Sequence, residues 1–198
     1  MRPAPACTAN ARTDVQLRQM DIEALLAREF PLEPGLIYLN HAAVAPWPRR
    51  TADTVQKFAD ENVRRGAVSY GTWQQTEKAL RAQCARLINA RSDDVAFQKN
   101  TSEALSAVAH GFPWTSGDNV VIAEEEFPSN RIVWESLRSS GVEVRTVALM
   151  KGADPEQALI DASDGRTRLL SSSSVQYASG LRLNLVKLGD LCHARGKS

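Results

Sequence analysis

Val95-Ala96-Phe97-Gln98-Lys99-Asn100-Thr101-Ser102-Glu103-Ala104 decides how this chain is read. An apolar run ends at Phe97, a short polar turn follows, and two hydroxyl residues open an apolar helical stretch. The first amides of a helix have no partner within it and lie at the positive end of its dipole. Such a start binds a phosphate dianion without a glycine-rich loop. The same residues also carry a plainer reading: Asn100 as N-cap, with Glu103 three positions on, forms a variant capping box that needs no ligand. The two readings are compatible, because a capped helix still offers its remaining amides.

Downstream, the pattern is regular. Val95–Phe97, Val120–Ala123, Val144–Leu149 and Leu169–Val175 read as strands, separated by helical stretches over Thr101–His110, Asn130–Ser139, Pro155–Ala162 and Asn184–Ala194. Asp154-Pro155 supplies an N-cap and a first-turn proline. Strands alternating with helices predict βαβ units and a parallel sheet, so the fold class is α/β. Upstream lie a helix near Asp21–Phe30 and a short strand Ile37-Tyr38-Leu39. A proline-flanked turn, Ala45–Pro48, then leads into two long helices, one to about Arg65 and one from Trp73 to Ile88. Gly66 is a suitable stop for the first of these. Met1–Gln19 has no apolar core of a secretory signal and reads as a disordered arm.

In a parallel sheet, sites form outside the carboxyl ends of the strands. The loop Glu124-Glu125-Glu126-Phe127-Pro128-Ser129-Asn130 would therefore face the same crevice as Asn100. Phe127 either lies on a planar cofactor ring or packs between loop and helix. The carboxylate run reads as a solvated loop, since no His or Asp stands at metal-ligand spacing. His41, in Asn40-His41-Ala42-Ala43, either approaches a substrate or closes a turn with Asn40. His110 and His193 fall in last helical turns, where they complement the dipole. Gly196-Lys197-Ser198 is no phosphate loop, because Leu191 stands where the first glycine should be. GxGxxG and GxSxG are both absent from the sequence.

The sequence has 198 residues, 43% apolar and 24% charged, with a net charge of +1, which points to neither a nucleic-acid surface nor a polybasic membrane patch. No apolar run reaches the roughly 18 residues of a transmembrane helix. Cys7, Cys84 and Cys192 are far apart, which argues against a disulfide framework or a zinc site. Cys84 and Cys192 share helical faces with leucines and read as core residues of a protein from a reducing, cytoplasmic compartment.

Taken in order, these segments resemble the class V aminotransferase family of pyridoxal-phosphate enzymes, which includes cysteine desulfurases, kynureninases and isopenicillin N epimerase-like proteins. Tyr38-Leu39-Asn40-His41-Ala42-Ala43 is similar to the family's opening strand and substrate-side turn. Leu87-Ile88-Asn89-Ala90, Val95-Ala96-Phe97 and Asn100–Ala104 are similar to its phosphate-binding segment. Gly117-Asp118-Asn119-Val120-Val121 and Glu126–Asn130 are similar to the cofactor-stacking loop, and Ser174–Gly180 to the loop after the fourth strand. The likeness runs from about Ile22 to Lys197.

The resemblance implies an incomplete fold-type I transferase large domain, with pyridoxal 5'-phosphate as cofactor and an amino acid as substrate. Thr101 and Ser102 fall where hydroxyls and amides hold the phosphate, and Phe127 falls where an aromatic ring stacks on the pyridine. Tyr177 falls near a position often occupied by Asn, a departure from the family pattern. His41 falls in the substrate-side turn. The implied organisation is an arm over 1–20, a helical segment over 21–71 and a partial cofactor-binding domain over 72–198.

The family's Asp for the pyridinium nitrogen and its cofactor-attaching lysine belong to segments after the helix matching Asn184–Ala194. Lys57, Lys78, Lys99, Lys151, Lys187 and Lys197 do not take that lysine's place. The expectation is therefore the N-terminal half of such an enzyme, inactive alone, whose parent forms a homodimer. The rival readings are a non-catalytic module that pairs with a complementary chain, and an unrelated phosphate-binding α/β domain. Strands two, three and four are expected as neighbours, with strand one lacking its partners and the edge of strand four uncovered.

Overall fold

The computed structural model describes residues 21–194, so the expected arm over 1–20 and Lys197 lie outside the described residues. The chain divides into two compact units, one ending at Asn89 and the other beginning at Ala90.

The first unit is helical. Helix α1 (Ile22–Glu29) starts at Asp21, whose side chain accepts from the Ala24 amide at 3.0 Å. Helix α2 (Arg49–Arg65) ends at Gly66, and α3 spans Tyr70–Leu87, beginning three residues before the expected Trp73. Glu29 is 8% exposed and accepts from Arg50 Nε at 2.8 Å and Arg28 Nε at 3.2 Å, which ties α1 to α2. Trp73 meets Phe58 and Tyr70 edge-on, with centroids 5.2 and 5.9 Å apart. The expected strand Ile37–Leu39 does not form, and Ile37 and Leu39 are 82% and 84% exposed. A strand is stabilised only by a ladder partner, and none pairs with it among the described residues.

The second unit is a three-layer α/β arrangement. Helix α4 (Thr101–Gly111) is followed by β1 (Asn119–Ala123), α5 (Pro128–Glu135), β2 (Glu143–Val147), α6 (Pro155–Asp161), β3 (Thr167–Ser171) and α7 (Leu185–Ala194). The sheet is parallel, in the order β2-β1-β3, with Val121 opposite both Arg145 and Leu170. Three of the four expected strands are present, and they are neighbours as expected. Val95–Phe97 forms no strand of the described sheet, a correction to the four-strand expectation.

Strand β1 is buried along its whole length, and its alternation feeds two cores. Val120 and Ile122 pack with Ala109, Val133, Trp134 and Leu137 on one face. Val121 and Ala123 pack with Leu149, Leu159, Leu183 and Leu188 on the other. Helices on both faces force a central parallel strand to be apolar throughout. At its start Asn119 is fully buried and satisfied: its amide donates to Asp164 at 2.9 Å and accepts from Thr167 Oγ1 at 2.7 Å. The Asn119 bond, the Arg166 amide and Arg145 together hold the Asp164 carboxyl far below the usual carboxylate range.

Candidate functional site

Asn100 caps α4 by accepting from the Glu103 amide at 2.9 Å, and Glu103 reaches back to the Lys99 amide at 2.7 Å. The capping arrangement is therefore built. It leaves the first-turn amides of Thr101 and Ser102 without a partner among the described residues, and both residues are exposed. An exposed helix start of this kind presents donors and a positive dipole end to an anion. Helix α4 packs against α5, and Ala109 shares the core of Val133 and Trp134.

The carboxyl ends of β1 and β3 carry two loops, and Glu126 joins them. The three-carboxylate run expected to be solvated is not uniform. Glu124 is exposed, whereas Glu125 accepts from the amides of Leu149 and Met150 at 3.1 and 3.2 Å. Glu126 is 5% exposed and accepts five hydrogen bonds. These come from Ser172 Oγ (3.1 Å), Ser173 N (2.5 Å), Ser173 Oγ (2.7 Å), Gln176 Nε2 (2.8 Å) and Asn130 Nδ2 (3.1 Å). Burial pushes its carboxyl up, but the Ser173, Gln176 and Asn130 donors outweigh burial and hold it below its ordinary value. The sequence signal was the donor-rich string Ser171–Ser174 with Gln176, which needs a buried acceptor if that loop is to pack.

The second loop closes on itself. Gln176 N donates to Leu181 O, Gly180 N donates to Gln176 O, and Val175 bridges Arg182 in antiparallel fashion. Gly180 takes φ +70°, a left-handed conformation suited to glycine. The structure brings Phe127 and Tyr177 together: their rings meet edge to face at 5.1 Å and 87°. Both rings keep open faces, at 49% and 62% exposure.

His41 belongs to the first unit. There the turn is built on Asn40 O, which accepts from the amides of Ala43 and Val44, and His41 packs its ring edgewise on Tyr38 at 5.1 Å. The Tyr38 hydroxyl donates to Val44 O. Among the described residues no helix is long and apolar enough to cross a membrane, and no group of three or more His, Cys, Asp or Glu side chains could hold a metal.

The aminotransferase class-V family model matches residues 37–197. A probable cysteine desulfurase of Methanothermobacter thermautotrophicus is 33% identical over 174 residues, covering 85% of this chain and 44% of its own length. Among solved structures, the cysteine desulfurase CsdA of Escherichia coli superposes with a TM-score of 0.75 at 22% identity, over 90% of this chain and 47% of that one. A C-DES mutant with glycine covalently linked to its PLP cofactor superposes with a TM-score of 0.78 at 18% identity, over 85% of this chain and 46% of that one. The chain thus spans less than half the length of the relatives cited. The structural likenesses establish a shared fold, and the family match over residues 37–197 places the chain in the aminotransferase class-V family.

Proposed function

We propose that the second unit binds pyridoxal 5'-phosphate and is the N-terminal portion of an enzyme acting on an amino-acid substrate. The observation that carries this reading is the Phe127–Tyr177 ring pair, half-exposed on loops that leave the carboxyl ends of β1 and β3. That is where parallel sheets place their ligands. The residues fit the cofactor: two exposed aromatic rings offer a surface to a planar heterocycle, and the free amides and hydroxyls of Thr101 and Ser102 suit a phosphate. Thr101 and Ser102 would hold the phosphate, and Phe127 the ring face with Tyr177 beside it. His41 is the residue proposed for the substrate.

When bound, the cofactor acts as an electron sink for bonds at the amino acid's α-carbon. The chain's part is to bind and orient it. The names of the relatives, cysteine desulfurases, favour a sulfur-containing amino acid as the substrate class. The isolated chain is proposed to bind without turnover. Lys57, Lys78, Lys99 and Lys151 are exposed, and Lys187 is paired with Asp154.

Titration of the chain with pyridoxal phosphate and with pyridoxal, followed by absorbance, tests the cradle. A charge-assisted hydrogen bond is worth about 1.5–3 kcal/mol, so the phosphate form should bind roughly tenfold tighter or better. In the Thr101→Ala/Ser102→Ala double variant that preference should largely disappear. Equal affinity of the unaltered chain for the two ligands would remove the assignment.

A further inference from the structure

We infer that Glu126 is a positioning residue: its buried carboxylate ties the loop after β1 to the loop after β3 and so sets the Phe127 and Tyr177 rings in their edge-to-face pair. The inference rests on the proposed cofactor reading for its functional meaning, while the clamp itself is a property of the ligand-free chain. Phe127 follows Glu126 directly in sequence, and Tyr177 follows Gln176, whose amide donates to Glu126 at 2.8 Å. Each ring therefore stands one residue beyond a pinned point, 50 residues apart in the chain.

Burial cannot be what holds the rings, since both are about half exposed. On the first side, Pro128 occupies the first helical position of α5 and restricts the chain just after Phe127. On the second side, the bonds between Gln176 and the Leu181 and Gly180 backbone close the loop around Tyr177. What remains to be joined is one loop to the other. Glu126 makes four of its five bonds across that gap, to Ser172, Ser173 and Gln176.

The carboxylate is chemically specific in this place, because it is acceptor-only and all five partners are donors. It also sets the orientation of the Gln176 amide. Nε2 is engaged by Glu126 and by Ser172 Oγ at 3.3 Å, which leaves Oε1 in a side chain 1% exposed without a donor among the described residues. Buried acceptors ordinarily have an O–H or N–H partner, so this oxygen is a departure from the rule. An amide at position 126 would set donor against donor and release that orientation.

The test is NMR of the ligand-free full chain with labelled Phe and Tyr, comparing it with Glu126→Ala, Glu126→Asp and Ser173→Ala. Contacts between β1 and β2, such as Val121 to Arg145, report the fold independently of the clamp. The expected result is that the Phe127–Tyr177 inter-ring NOE is lost in Glu126→Ala with the sheet contacts intact, weakened at least twofold in Ser173→Ala, and partly restored in Glu126→Asp. An unchanged ring NOE in folded Glu126→Ala overturns the inference. Should Glu126→Ala not fold, an unchanged ring NOE in Ser173→Ala overturns it. A pyridoxal phosphate titration of the same proteins is expected to weaken at least tenfold in Glu126→Ala, and unchanged affinity there also overturns the inference. If the unaltered chain binds no pyridoxal phosphate while its ring pair still depends on Glu126, the clamp stands and the cofactor reading fails.

Discussion

Glu126 keeps its charge inside the protein because five donors replace the water it has lost, three of them hydroxyl or amide groups from Ser172 and Ser173. A buried carboxylate without such partners would take up a proton instead. Here the donors prevail and its folded value lies below the ordinary one. The stability this contributes is fully present above the unfolded value of about 4.3 and is lost as pH falls through the lower folded value. Glu126→Gln is expected to cost about 1–3 kcal/mol at neutral pH, since an N–H then faces donors. Urea unfolding across the pH range should show that gap constant above about pH 5 and shrinking in acid. A gap that widens in acid would mean the carboxyl is protonated in the folded chain. Little near position 126 in the sequence announces this, because four of the five donors come from residues 172–176 and only Asn130 is close by. Phe127 and the first turn of α4 were legible, since a cap and an aromatic after a strand are local signals.

At the scale of elements, helices were read within a few residues of their ends, whereas strands were read by type and not by membership. Asp21, Asn100 and Asp154 each cap the helix that follows, a bond closed within three residues. The runs Ile37–Leu39 and Val95–Phe97 are as apolar as β3, yet neither is a strand of the described sheet. The approach to β2 shows how one residue governs an element. A single 3-10 turn over Ser136–Ser140 ends at Gly141, with φ +81° and its carbonyl accepting from Gly117 N at 2.9 Å. A Cβ there would lie 2.7 Å from Ser116 Oγ. Gly141→Ala should therefore cost about 1–2 kcal/mol from the left-handed backbone alone, with more from the contact. Gly152→Ala, at φ −123° with open space around it, is the matched control and should be near neutral in the same thermal melts.

At the scale of the whole molecule, the sheet has β1 protected on both sides, with β2 and β3 as edges among the described residues. Large apolar side chains are also open to solvent, including Val63 at 87% and Leu87 at 86%. Open parallel edges and exposed apolar surface favour association with further chain. The isolated chain is accordingly expected to be marginally stable and to self-associate as its concentration rises. Sedimentation velocity combined with thermal unfolding checks this, and a monomeric, cooperative transition at high concentration would count against it. The sequence by itself determined the α/β order, the helix caps, the apolar β1 and the family likeness, because each of these is written in residues near one another. The tertiary structure alone decided that the 95–97 run stays outside the described sheet, and that Glu126 is a buried clamp beside a paired Phe127 and Tyr177. A helix closes its bonds within four residues, whereas sheet membership and the burial of a charge depend on distant partners, 24 residues away in the bond from Leu149 to Glu125 and 50 in the bond from Gln176 to Glu126.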